Sequence, residues 1–256
     1  MTSHIIITSC TIADGPAIAR NNIPAFWTDS TWVLIWPGKT CEYVTAQAAR
    51  RMPATLLKDP AHVRHQKAIN AQSGAILGYV RWVLPRVDDE NAAGSGWTTA
   101  RVPAVSEAQQ REAERERDAA DWKYDRALDD LDEQVLGMKR RLMDGKRYML
   151  LDYLAVHPDN RGQGIGSMLV NSGIKEARKL GLDVFVHGMK AGLGVYKRAG
   201  FRLVDQMNLN DSEYGGKGDY GSYFLVKEAE KGKAESEEED EKAEEGSNFT
   251  KTVKEV

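Results

Sequence analysis

Residues 150–166 read LLDYLAVHPDNRGQGIG, an apolar strand pattern, a short polar turn, and then glycines at 162, 164 and 166 opening an amphipathic helix. That order builds a pocket for an anion. Glycines without a Cβ let the backbone crowd close to a ligand. The following SMLVNSGIKEARKLG has helical periodicity. The first amides of a helix lack intrahelical partners and sit at the positive end of the macrodipole, so a pyrophosphate placed there meets several donors at once. Arg161 adds a fixed positive charge beside them.

The spacing selects among phosphate ligands. A mononucleotide P-loop ends in Gly-Lys-Ser/Thr, whereas Gly166 is followed by Ser167 and Met168. A dinucleotide fingerprint needs G-x-G-x-x-G; counting from Gly162 gives Gly164 and then Ser167, with no acidic residue closing a second strand at the usual distance. What remains is Arg-x-x-Gly-x-Gly, from Arg161 to Gly166, after a strand ending in Ala155-Val156-His157-Pro158. Downstream come VFVHG at 184–188, a short strand, and then Tyr196-Lys197-Arg198-Ala199-Gly200-Phe201.

In that order the two elements resemble the acetyl-CoA-binding motif and the tyrosine/Gly-Phe element of the GNAT superfamily of N-acetyltransferases. The close resemblance covers 149–206. It implies a mixed α/β (α+β) fold, a mostly antiparallel twisted sheet of six to seven strands flanked by helices, over a domain at 1–226. It implies acetyl-CoA as co-substrate, with Leu154, Ala155 and Val156 offering main-chain groups to the thioester and pantetheine. Arg161, Gly162, Gln163, Gly164, Ile165, Gly166 and Ser167 would hold the diphosphate. Tyr196 matches the family tyrosine that protonates the departing thiolate. Many relatives carry an asparagine several residues before that tyrosine; here the stretch is His187-Gly188-Met189-Lys190-Ala191. Asp152, two residues from Leu154 and therefore expected on its face, is the first candidate base. His187, with an ordinary pKa suited to neutral pH, is the second. The expected reaction is acetyl transfer to the primary amine of a metabolite, amino-acid-like compound or xenobiotic. Alternatives are transfer to a protein or peptide, and a non-catalytic acyl-CoA-binding module. A homodimer is possible by the same analogy.

The rest of the chain sets limits. No membrane span appears, and the apolar start HIIITSCTI lacks the basic lead and cleavage site of a secretory signal, so a cytoplasmic address is expected. A net charge of −3 argues against general nucleic-acid affinity, which needs a basic face. Cys10 and Cys41 have no Cys or His at ligand spacing and read as small buried hydrophobes. His62 and His65 sit at i, i+3, as on one helix face, but no third ligand is evident and no metal is expected. From 227 the chain is rich in Glu, Lys, Ser and Gly and nearly free of large apolar residues, the composition of a disordered acidic tail.

Patterning supplies the remaining elements. Residues 4–12 read as a buried strand, 16–26 and 43–58 as helices, the second broken by Pro53, with TWVLIWPG between them as a loop or short strand. Residues 66–84 read as two strands around Ala-Gln-Ser-Gly, stopped by Pro85, and 86–105 as a loop. Within 106–144, Tyr124, Leu128, Leu131, Val135, Met138 and Leu142 recur at three- and four-residue steps, a helical stripe. This helical insertion precedes the motif strand and would either wall the acceptor site or pack on the sheet. Trp27, Trp82, Trp97, Trp122 and Tyr124 are candidate aromatics for such a wall.

Overall fold

Alternation along the apolar runs produces one sheet. The computed structural model describes residues 4–86 and 96–229. In chain order the elements are β1 (Ile5–Ser9), α1 (Gly15–Trp27), α2 (Ser30–Leu34), α3 (Cys41–Leu56), β2 (Val63–Asn70), β3 (Ile76–Val83), α4 (Glu107–Ala119), α5 (Asp129–Met143), β4 (Tyr148–Val156), α6 (Ile165–Lys179), β5 (Asp183–Met189), α7 (Leu193–Arg198), β6 (Arg202–Leu209) and β7 (Tyr220–Lys227). The strands lie in the order β1-β2-β3-β4-β5-β7-β6. Every neighbouring pair is antiparallel except β4 and β5. The mixed fold with a mostly antiparallel seven-stranded sheet is therefore the expected one.

The two faces of the sheet are covered differently. On one, Val80, Trp82, Leu151, Val184, Val186 and Leu225 pack against Ile165, Leu169 and Val170 of α6 and Tyr196 of α7. A Cβ on Gly173 would lie 2.0 Å from the Trp82 ring, so α6 approaches the sheet there more closely than any other residue allows. On the opposite face, Ile18 and Leu56 of α1 and α3 cover Tyr79, with Tyr153 at the edge of the cluster. Farther along that face Leu131, Val135, Met138 and Leu142 of α5 cover Phe185, Phe224 and Val226.

Several local expectations change. Pro53 does not end α3, which runs on to Leu56; its ring packs where Gly15 of α1 leaves room, a Cβ there lying 2.8 Å from Pro53 Cδ. That contact offsets the missing backbone bond. TWVLIWPG is neither loop nor strand at its start: Asp29 accepts from the amides of Thr31 (2.9 Å) and Trp32 (3.0 Å) and nucleates α2. The helical insertion at 106–144 is two helices, α4 and α5; of the stripe, Leu131, Val135, Met138 and Leu142 lie on α5, while Tyr124 and Leu128 precede it. Lys39 takes Asp121 at 2.6 Å and Trp36 takes the Trp122 ring at 4.8 Å, pulling the connection away from a straight helix. Tyr124, outside both helices, is exposed. His62 and His65 share no helix face, since His65 is buried on β2 and bonded to the Tyr79 hydroxyl at 2.7 Å. Cys10 is buried, whereas Cys41 is partly exposed at the start of α3. Residues 87–95 of the expected loop and 230–256 of the expected acidic tail lie outside the described residues.

Candidate active site

The parallel pairing of β4 with β5 runs from Tyr148↔Asp183 to Leu151↔Val186 and stops, although β4 continues to Val156 and β5 to Met189. The two strands part into a fork. The cause lies on the other side of β4, where the register with β3 passes from Arg81↔Tyr153 directly to Trp82↔Leu151, leaving Asp152 as an extra residue. Such a bulge bends and twists its strand. Beyond the fork, β4 keeps only β3 as a ladder partner up to Gly78↔Val156, so main-chain groups at Leu154, Ala155 and Val156 face the opening.

Part of this end is held by α1. Buried Asn21 donates from Nδ2 to the Ala155 carbonyl (3.2 Å), and its Oδ1 accepts from the His157 amide (3.1 Å). Sequence reasoning missed this residue; its signal was the Asn21-Asn22 pair inside an otherwise apolar helix.

The glycine elbow follows. Gly162 and Gly164 have φ of 79° and 78°, left-handed values that favour glycine, and a Cβ on either would meet nothing within 4 Å. The space above them is open. Gly164 is the N-cap of α6, and Met168 is the first residue to donate back to it, at 3.0 Å. The amides from Ile165 to Ser167 thus have no intrahelical acceptor. Gly166 approaches Val195 of α7 at ordinary contact distance. This exposed row of donors at a helix start fits a diphosphate, the anionic part of coenzyme A. The Arg161 side chain turns elsewhere, donating to the Ala25 carbonyl (2.9 Å) and the Thr28 hydroxyl (3.0 Å) at the end of α1. Its charge ties α1 to the elbow.

The candidate acid and bases fall on opposite sides of the sheet. Tyr196 packs among the residues under α6, its ring filling the space over Gly188 and Gly192, where Cβ atoms would lie 2.5 and 2.7 Å from it. Gly188 belongs to the free end of β5, so the phenol borders the fork. Burial pushes its pKa up, keeping it protonated at neutral pH. His187 is the first residue of β5 past the fork and points the other way, stacked on Phe224 with ring centroids 5.0 Å apart. Its Nε2 is buried without a hydrogen-bond partner. Burial, with Lys139 of α5 adding to it, lowers its pKa to about 4.

Asp152 does not share the face of Leu154. The bulge resets the alternation: Leu154 pairs with Val80 and packs toward α6, while the Asp152 carboxylate meets Arg81 on the far side. Arg81 donates from Nε (2.7 Å) and Nη2 (2.6 Å) to the same oxygen, Oδ2. Burial is the largest single influence and works against the charge of Arg81, but Asp152 together with the Tyr79 and Tyr153 phenols outweighs it and the guanidinium pKa is raised. The guanidinium lies 5.5 Å from the centre of the Tyr153 ring. Arg81 was another residue the sequence did not single out.

The aromatics divide likewise. Trp82 and Trp97 are core residues on the α6 side. Trp27 and Trp122 join Trp32 and Trp36 in a cluster over α1 and α3, and Phe26 links that cluster to Tyr153 at 4.8 Å. Near the far rim, the Thr31 hydroxyl of α2 and the Gly218 amide each donate to the buried Asp211 carboxylate at 2.6 Å, tying α2 to the turn between β6 and β7. Among the described residues no group of His, Cys, Asp and Glu could hold a metal ion, and no helix is long and apolar enough to cross a membrane.

Known proteins place this geometry. The chain is similar, at 34% identity over 79 residues, to the L-amino acid N-acyltransferase MnaT of Escherichia coli (strain K12), covering 29% of this chain and 46% of that protein. It is 36% identical over 85 residues to the peptidyl-lysine N-acetyltransferase YjaB of Salmonella typhimurium, covering 33% and 54%. The matches span about half the length of these curated relatives. Among solved structures, a histone acetyltransferase HPA2 and related acetyltransferase from Corynebacterium glutamicum superposes with TM-score 0.53 at 17% identity, covering 89% of this chain and 98% of that one. The C-terminal condensation domain of Ebony, in complex with beta-alanyl-dopamine, gives TM-score 0.59 at 10% identity, covering 88% and 99%. At such identities the likeness is one of fold. The profile of the Acetyltransferase (GNAT) family matches residues 70–201, from the end of β2 through the elbow to the Gly-Phe element. On a match of that extent, this chain belongs to the GNAT acetyltransferase family.

Proposed function

We propose that the protein is an acetyl-CoA-dependent N-acetyltransferase whose acceptor is the primary amine of a small molecule, and that residues 1–226 act as one catalytic domain. The observation that carries the reading is the forked β4–β5 pair leading straight into the glycine elbow. Bound there, acetyl-CoA supplies an activated acetyl thioester. The amides of 162–167 would hold its diphosphate, and the main chain of Leu154, Ala155 and Val156 that β5 leaves unpaired would line its pantetheine arm, the Ala155 carbonyl being held by Asn21.

The remaining roles belong to side chains. Tyr196, buried and protonated beside the fork, would donate a proton to a thiolate on the α6 side. His187, neutral above about pH 4 and with Nε2 unpartnered, is the better proton acceptor on the opposite side. The Asp152 carboxylate is engaged by Arg81, which favours an electrostatic task for it over proton abstraction. A small acceptor is favoured over a protein because α1, α3 and α5 cover that face of the sheet and the Thr31–Asp211 bond ties α2 to the β6–β7 turn. A cytoplasmic address goes with the two unpaired thiols.

The test is release of free thiol from acetyl-CoA over pooled amines, with the product identified by mass. Turnover of a small amine supports the reading. Coenzyme binding without transfer to any amine would favour a non-catalytic binding module, and turnover only of peptides would favour the protein-acetylating alternative.

A further inference from the structure

The acceptor side of the fork contains an ion pair whose geometry says more about the acceptor. Arg81 and Asp152 are only partly buried, with 27% and 25% of their side chains exposed. Both guanidinium contacts go to a single oxygen, Oδ2. That leaves Asp152 Oδ1 and Arg81 Nη1 without a protein partner among the described residues, at the two outer edges of one ion pair where β4 leaves β5. An ion pair that keeps one carboxylate oxygen and one guanidinium nitrogen free can take an ammonium on the first and a carboxylate on the second. From this pair an aromatic surface runs outward: Tyr153 under the guanidinium, Phe26 at 4.8 Å from Tyr153, and Trp32 at 5.8 Å from Phe26.

Resting on the reading above, we propose that Arg81 is a specificity-determining residue that binds the carboxylate of an α-amino acid acceptor, whose apolar side chain lies along Tyr153, Phe26 and Trp32. Asp152 Oδ1 accepts a hydrogen bond from the ammonium of the bound amino acid. An amine lacking the carboxylate leaves the guanidinium half-paired, and a site built for a polar group discriminates strongly against an analogue without it. A polyamine or a lysine side chain brings no anion to this position.

The experiment compares apolar L-amino acids with the amines that differ only by loss of the carboxylate, such as L-phenylalanine with 2-phenylethylamine and L-leucine with 3-methylbutylamine. The full chain is used, and wild type is set beside Arg81→Gln and Arg81→Lys. Wild type should prefer the amino acid in kcat/KM by about 100-fold or more. Arg81→Gln should raise KM for the amino acid at least tenfold, leave kcat within a few fold, and abolish the preference; Arg81→Lys should recover part of it. Equal use of the two compounds by wild type overturns the proposal without needing a variant to fold, as does a preference that survives Arg81→Gln. Calorimetry with acetyl-CoA is run on each protein. Heat with no carboxylate preference means that this inference fails while the transferase reading stands; no heat from wild type removes both.

Discussion

The two faces of the sheet at the fork are made of different material. On the α6 side the site is main chain: strand ends, glycines with left-handed φ, and orphan amides, with Tyr196 as the contributing side chain. On the opposite side it is side chains: Arg81 with Asp152, His187 on Phe224, and an aromatic surface drawn from α1, α2 and β4. A backbone site recognises something constant, and every family member can keep it while side chains on the other face change. In the proposed reading, the division of labour between donor and acceptor therefore follows the sheet plane.

Chemistry offers the sharpest way to break that division. Tyr196→Phe removes the phenolic hydroxyl from the α6 side of the fork; we expect kcat to fall about 100- to 1,000-fold with acetyl-CoA affinity by calorimetry nearly unchanged. A small effect would leave the ring as packing alone.

Gly164→Glu places a β-carbon at φ 78° and an acid among the orphan amides. Acetyl-CoA binding should weaken by about 100-fold, while stability falls by about 1–2 kcal/mol, the backbone cost of a non-glycine residue in the left-handed region, with no clash added since nothing lies within 4 Å of the new Cβ. Undiminished heat of binding contradicts the assignment of the elbow.

Acid sharpens the contrast, because buried imidazoles lie on the acceptor side. Burial, reinforced by Arg81 and Arg64, lowers His65 to about 3, and burial with Lys139 lowers His187 to about 4, from an ordinary value of 6.5. Native protein holds both neutral where the unfolded chain protonates them, so the unfolded state binds more protons and stability rises with pH. The stabilisation is complete above about 6.5 and is lost as pH falls toward 4 and then 3. Denaturant midpoints across pH 3–7 should show this slope, and His65→Gln should flatten its lower part. An unchanged slope argues against a buried neutral His65.

The smallest effect concerns the insertion. Tyr220 donates to Asp132 of α5 at 2.5 Å, and Tyr220→Phe should cost about 1 kcal/mol in thermal or denaturant unfolding with little change in coenzyme binding. A large loss of coenzyme affinity would mean that α5 serves the donor side as well.

How much of this the chain displays before folding follows the same line. The motif strand and the elbow are contiguous and the tyrosine follows after one helix and one strand, so glycine spacing, alternation and the order of the two motifs expose them. The acceptor side is assembled from 26–32, 79–82, 152–153 and 185–187, and nothing in sequence spacing says that these meet. Asp152 illustrates the limit: strict alternation assigns it to the face of Leu154, and a single unpaired residue against β3 reverses the assignment. Pro53 is similar, because the room provided by Gly15 lies far off in the chain. Tyr124 fitted a helical stripe and stands exposed because Trp122 and Asp121 redirect the connection.

The contact between Gly173 and Trp82 reaches beyond packing. About two turns of helix separate it from Gly166, and an indole held between strand and helix acts as a shim beneath one end of a lever. Thicken the shim with a methyl on Gly173, or thin it by trimming Trp82, and the far end tilts, so that the phosphate cradle is levelled by a residue that never touches phosphate.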